Sequence, residues 1–227
     1  MSAATTLEAP PAPRAAPMYR SMVGIGVVCG LLIVIAFQWT SPIIQRNKAE
    51  ALQRAIFRVL PAARASQAFR LTPEGRFEKL QGVPGGGEVV YAGYDEQGAL
   101  VGLAIEGRGM GYQDVIRLIY GYSPAEDAIV GMYVLESKET PGLGDKIIAD
   151  PDFAQNFEKL DVSLTDDAQI AHAIVAVKHG EKKQPWEIDG ITGATVSSKA
   201  VASLLAGSTS YWIPRIKKSL DEFRRGE

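Results

Sequence analysis

From Ser21 to Trp39 the chain carries no charged side chain. That run includes Val27, Val28, Leu31, Leu32, Ile33, Val34 and Ile35, and as a helix it is long enough to cross a hydrocarbon core of roughly 30 Å at about 1.5 Å per residue. In lipid a backbone must satisfy its own hydrogen bonds, so a single crossing segment has only the helix open to it. Trp39 suits an interfacial anchor. A buried soluble helix and a cleaved signal peptide are the alternatives. The run is long for a signal core, and no clear small-x-small cleavage site follows it. The expectation is an uncleaved transmembrane anchor over residues 18–40, preceded by an Ala-, Pro- and Thr-rich tail, residues 1–17, expected to be disordered. Arg14 and Arg20 precede the span and Arg46, Lys48, Arg54 and Arg58 follow it, so charge alone does not choose a side. The span holds no carboxylate, which places any ion path elsewhere.

Composition removes several chemistries. The 227 residues carry a net charge of −2, so nothing points to a polyanion-binding surface, and no nucleic-acid partner is expected. The single cysteine, Cys29, lies in the apolar run, which rules out a disulfide within the chain, a Cys-ligated iron–sulfur cluster and a CxxCH haem site. His172 and His179 are too few for a His-based metal site and read as surface or strand residues. Electron chemistry in such a chain needs an organic cofactor.

After the span, residues 41–64 form a connecting segment. Asn47–Leu60 reads as an amphipathic helix with Leu52, Ile56, Val59 and Leu60 on one face, stopped by Pro61. It is expected to dock on the domain that follows, residues 65–227. Strands are predicted over 89–94, 99–105, 115–122 and 128–135, the first two joined by a turn at Asp95–Gly98. A helix is predicted over 153–160, a strand over 168–177 and a last helix over 208–225. Closely spaced strands argue for a mainly antiparallel sheet. The fold class expected is α+β: one transmembrane helix, then a mainly antiparallel β-sheet domain with flanking helices.

The most chemically specific stretch is Asp189–Ser198, with the core Thr192, Gly193, Ala194, Thr195. Val201, Leu204 and Leu205 behind it have helical spacing, so Thr195 sits at or just before a first helical turn, where free N–H groups and the helix dipole suit a phosphate. Gly193 and Ala194 would let a bulky ligand approach the backbone. An ordinary helix cap is the plain alternative. Lys199, one turn on, could balance phosphate charge, although an exposed helix lysine is usually solvated. Two further segments stand out. Gly107–Tyr112 is glycine-rich but lacks the features of a nucleotide loop, and alone reads as a flexible connection. Glu139–Gly144, with Pro141 and Gly142 suited to a turn, alone reads as a strand-to-helix connection.

Together these segments resemble the FMN-binding domain family. Asp189–Ser198 is similar to its flavinylation motif, in which the last Thr of Ser/Thr-Gly-Ala-Thr carries FMN through a phosphoester. The matching residue is Thr195, with Thr192, Gly193, Ala194 and Ser198 around it. Gly190 stands where that family commonly has Ala. Glu139–Gly144 resembles the family's loop lining the isoalloxazine ring, which implies roles for Glu139, Thr140, Gly142 and Leu143. Tyr112 ends the segment that lies beside the flavin there. The whole chain from the span onward resembles the G subunits of Rnf-type ion-translocating electron-transport complexes. Their near relatives are the C subunits of Na+-translocating NADH:quinone reductases. The resemblance implies covalent FMN installed by a separate flavin transferase from FAD with Mg2+, and other membrane subunits of the complex as partners. It also implies a bacterial inner-membrane location with the domain on the periplasmic side, and ferredoxin-to-NAD electron transfer coupled to ion movement. No general acid or base is expected in the chain itself. The alternative functions are the C-type subunit, a membrane-anchored regulatory module that holds flavin non-covalently or not at all, and a structural subunit.

Overall fold

The computed structural model describes residues 15–81 and 87–224. Its contacts divide the chain into two units, Met1–Lys48 and Ala49–Glu227. Helix α1 (Ala15–Val59) accounts for the described part of the first unit. There its apolar side chains from Met22 to Trp39 all stand exposed, which a core helix of a water-soluble protein would not allow. The segment is long and apolar enough to cross a membrane. The expected disordered tail lies outside the described residues up to position 14. Residues 15–17 are already helical.

In the second unit, seven strands form one sheet. They are β1 (Ala65–Leu71), β2 (Phe77–Lys79), β3 (Val89–Tyr94), β4 (Leu100–Met110), β5 (Val115–Ser123), β6 (Ala128–Glu136) and β7 (Leu160–Asp161). Their order is β2-β1-β3-β4-β5-β6-β7, and every pairing is antiparallel. Two short helices, α2 (Lys146–Ala149) and α3 (Pro151–Gln155), follow β6. Strands β8 (Val175–Val177) and β9 (Glu187–Asp189) pair in parallel beside the sheet. The chain ends in α4 (Thr195–Lys218) and α5 (Leu220–Arg224).

Both faces of the sheet are covered. On one, Val201, Leu204, Leu205 and Ile213 of α4 pack into a core with Leu103, Ile105, Ile116, Leu118 and Tyr120. On the other, Ala55, Ile56, Val59 and Leu60 lie on Tyr91, Ala104 and Ile119. This two-sided burial explains why β3 and β5 read as nearly continuous apolar runs, without the clean alternation of a half-exposed strand. The docking expected for Leu52, Ile56, Val59 and Leu60 is observed, but the first three belong to the end of α1, with Leu60 directly after it, and not to a separate helix.

That end of α1 needs a hollow in the sheet. Gly121 on β5 and Gly131 on β6 are direct partners across the ladder, and the Val59 carbonyl rests on them. A Cβ on Gly131 would stand 2.9 Å from that oxygen, and one on Gly121 would overlap it outright.

The predicted strands at 89–94, 99–105, 115–122 and 128–135 match β3 to β6. The Asp95 carboxylate accepts from Gln97 N at 2.9 Å and Ala99 N at 2.8 Å to close the predicted turn. Four other readings change. Gly107–Met110 is not loop but the end of β4, paired with Val115–Leu118, and its glycines make room for α4: a Cβ on Gly107 would lie 2.5 Å from Leu204 Cδ2. The helix expected over 153–160 is only α3, because Leu160 joins the sheet. The strand expected over 168–177 shrinks to β8, since Ala168 takes a positive φ of 56° in a turn closed by Thr165 and Gln169. The last helix expected over 208–225 is the second half of α4, which begins at Thr195, runs unbroken past Gly207 to Lys218 and gives way to α5 after Ser219, with Thr209 and Ser210 hydroxyls donating to carbonyls one turn back.

Gly121→Ala should therefore lower stability by about 1–3 kcal/mol through overpacking. Gly207→Ala, at an exposed helical site with open space, should raise it by up to about 1 kcal/mol. Thermal unfolding of the full chain in detergent, followed by tryptophan fluorescence, compares the two.

Candidate functional site

The site grows from Glu139. Its side chain is 5% exposed and sits between the β4–β5 hairpin, the loop after β6 and the start of α4. Glu139 Oε1 accepts from Gln113 N at 3.0 Å, and Oε2 accepts a very short bond from the Ser197 hydroxyl. Two glycines wall the carboxylate in. A Cβ on Gly111 would stand 2.5 Å from Oε1, and one on Gly144 would stand 2.6 Å from Oε2. Burial pushes the carboxyl pKa up, but the Ser197 hydroxyl and the backbone N–H groups of Gln113, Tyr112 and Asp114 outweigh it and hold the group below its ordinary range. Thr140 Oγ1 adds a bond to Gln113 Oε1 at 3.2 Å. Three stretches distant in sequence are thereby fixed to one another.

The motif loop is bonded just as fully. Asp189 N donates to Asn156 Oδ1 at 2.8 Å, and Asn156 Nδ2 donates to Asp189 O at 3.1 Å. The Asp189 carboxylate accepts from Gly180 N at 2.7 Å and lies 3.4 Å from His179 Nδ1. Ile191 N donates to Ser198 Oγ at 3.1 Å, and that hydroxyl donates to Ala194 O at 3.0 Å. Gly190 N bonds Val177 O, and a Cβ there would sit 2.7 Å from that oxygen. Gly193 turns the chain at a φ of 85°, where an L side chain would be strained. Only Thr192, Gly193, Thr195 and Val196 are left facing outward.

Thr195 is the first residue of α4, and Ala194 occupies the cap position without a side-chain bond. The Thr195 hydroxyl is thus exposed and bonds to none of the described residues. A capping threonine would sit one position earlier and accept a bond from the first turn. Three large apolar side chains on the segments joined through Glu139 face solvent: Tyr112 is 69% exposed, Leu143 51% and Val196 53%. Their backbones are held close by the Glu139 bonds just described.

The segments that carry Tyr112, Thr140, Leu143 and Thr195 meet at Glu139, and Thr192 and Gly193 stand exposed on the loop before α4. Gly142 stands on the same loop as Leu143, with a φ of 76°. Glu139, Ala194 and Ser198 are turned inward. Sequence reasoning missed Ser197, Gly111 and Gly144 as the housing of Glu139. It also missed Lys146, whose ammonium lies 4.0 Å from where a Cβ on Gly193 would be. The pairing of Gly111 and Gly144 around one acid was visible only as two unexplained glycines.

These residues fit a phosphorylated planar ligand: a free hydroxyl at a helix start, a bare glycine surface beside it, and exposed apolar side chains within one rigid neighbourhood.

Glu139→Ala would leave the Ser197 hydroxyl and Gln113 N–H without their buried partner, costing about 3 kcal/mol. The folded pKa is depressed, so the stabilisation is present above the unfolded carboxyl value and is lost as pH falls through the folded one. Glu139→Gln should flatten that acid limb of a Tm-against-pH profile, and an unchanged limb would refute the account.

Residues 111–207 match the family model described as FMN-binding domain. The G subunit of the ion-translocating oxidoreductase complex of Methanosarcina acetivorans is 31% identical, over 84% of this chain and 90% of its own. The corresponding G subunit of Cereibacter sphaeroides is 29% identical, over 79% of this chain and 75% of its own. Among solved structures, NqrC of Shewanella oneidensis superposes with a TM-score of 0.58 at 17% identity, covering 79% of this chain and 99% of that one. The C subunit of the Na+-translocating NADH-quinone reductase of Parabacteroides distasonis gives 0.57 at 18% identity, covering 81% and 96%. At that identity the structural likeness speaks for the fold alone.

Proposed function

The chain belongs to the family of G subunits of ion-translocating oxidoreductase complexes, and from that premise we propose that it is a membrane-anchored electron carrier bearing FMN as a phosphoester on Thr195. The observation that carries the reading is the Thr195 hydroxyl: first in α4, exposed, and free of any bond to the described residues. Such a group is spare for chemistry in a way that Ser197 and Ser198, both buried and bonded, are not.

Attachment is a group transfer from FAD. The Thr195 oxygen forms a bond to the FMN phosphorus, the bond to the bridging oxygen of the pyrophosphate breaks, AMP leaves, and the hydroxyl proton goes to a base of the flavin transferase. Thr192 and the Gly193 backbone would border the phosphoryl group. Leu143, Val196 and Tyr112 would supply apolar walls, and Thr140 a polar edge. When bound, FMN supplies reversible one- and two-electron transfer, and the protein supplies position and electrostatics. The span in α1 holds the domain at the membrane, on the periplasmic side of a bacterial inner membrane in this reading. Other membrane subunits of an Rnf-type complex would be the donor and acceptor, in electron transfer between ferredoxin and NAD.

Intact mass and peptide mapping of the membrane-purified chain, coexpressed with a flavin transferase, test this directly. The peptide containing Thr195 should gain one FMN-phosphoryl mass. Thr195→Ala should abolish it while stability moves by no more than about 1 kcal/mol, the size of a lost cap. An unmodified wild-type chain, with the transferase active on another substrate, would sink covalent attachment and favour a non-covalent binding module.

A further inference from the structure

The geometry points to Lys146 as the cation that receives the phosphoryl group carried by Thr195, an inference that rests on the covalent reading above. Lys146 opens α2, directly after the Glu139–Gly144 loop, and is half-buried. Its ammonium hangs over Gly193, two residues before Thr195, 4.0 Å from the place a Cβ would take. The ammonium has no hydrogen-bond or ion-pair partner among the described residues. The residue is partly covered by its neighbours, and an ammonium so placed is available to an anion brought to Gly193.

Carboxylates do stand nearby. A cleft of about 260 Å³ is lined by Lys146, Asp150, Asp152 and Asp189, with His179 and Thr192. Two of the three acids are committed elsewhere. Asp150 accepts from Asp152 N and Phe153 N to cap α3, and Asp189 accepts from Gly180 N beside His179. Neither pairs with Lys146, and Asp152 does not reach it. The ammonium is instead held at the bare side of the motif turn, where an anion esterified to Thr195 would lie. Lys199, one turn into α4 and on the same helix side as Thr195, is the rival cation, but it is exposed and so largely solvated.

A phosphodiester keeps its negative charge at all physiological pH values, so the pair would form whenever the cofactor is present. Lys146 would then fix the direction in which the cofactor leaves the helix start. Glu139 is the rigid base behind it, since the loop that ends at Gly144 carries Lys146 two residues later.

The test uses the full chain in detergent, flavinylated by a transferase with FAD, in wild-type, Lys146→Gln, Lys146→Arg and Lys199→Gln forms. Two quantities are read: the rise in Tm on flavinylation, and the phosphorus NMR resonance of the attached phosphodiester. The expected result is a Tm rise that is largest at low salt in wild type, several-fold smaller in Lys146→Gln, and restored in Lys146→Arg. The phosphorus resonance should move in Lys146→Gln and little in Lys199→Gln. A Lys146→Gln protein equal to wild type in both readouts overturns the inference while leaving covalent attachment intact, as does a larger loss in Lys199→Gln. Absence of flavin from wild type itself overturns the reading beneath it. Should Lys146→Gln fail to fold, the wild-type salt dependence decides: a Tm rise indifferent to salt overturns the pair.

Discussion

One buried carboxylate joins the segments of the candidate site. Glu139 joins the β4–β5 hairpin to the start of α4 through bonds to Gln113 N and the Ser197 hydroxyl, and the loop it begins is carried along. A charge so enclosed would be costly if any acceptor site were left idle, and here backbone and hydroxyl donors surround it. The glycines at 111 and 144 are the steric condition for that enclosure, because a single methyl on either would strike the carboxylate. The segments that carry the exposed Tyr112, Leu143 and Val196 are joined through these inward bonds. In the proposed reading a flat ring would be received here, and a surface rigid beforehand would spare the affinity that ordering it on binding consumes.

The same division between inward and outward residues runs through Asp189–Ser198. Asp189, Ile191, Ala194, Ser197 and Ser198 build the loop, and Thr192, Gly193, Thr195 and Val196 are what it displays. Gly190 belongs to the first group, pressed against Val177 O. An alanine there would need β8 to give way slightly, so this chain's β8–β9 pairing and its glycine go together.

Much of this was legible in the sequence, for identifiable reasons. Strands β3 to β6 are long and bounded by turn residues, so pattern alone found them. Around Thr195 the pattern alone read as a helix cap as readily as a ligand site, and the resemblance of Asp189–Ser198 to the flavinylation motif is what singled it out. What escaped was set by contacts between distant segments. Ala65–Leu71 mixes Ser, Gln and Arg into its pattern and becomes β1 only because β3 offers it an edge. Gly107–Met110 looked like a loop because a strand residue without a side chain has no pattern to read, and its reason is the closeness of Leu204. The Glu139 carboxylate turns toward Gln113 N and the Ser197 hydroxyl, a direction no spacing encodes. Lys146 reaches Gly193 across the fold, so nothing in either segment announces the other.

The rigidity of the motif loop has a consequence for any enzyme that modifies it. Asp189, Gly190, Ile191 and Ala194 are tied by neighbours that come from the end of α3, from β8 and from the turn at Gly180, as well as from the loop itself. The ten residues from Asp189 to Ser198 are therefore a shaped epitope and not a loose peptide tag. In the reading proposed above, a modifying enzyme would meet Thr195 at the first turn of a folded helix, and recognition of the short motif would at the same time inspect whether the domain around it has folded.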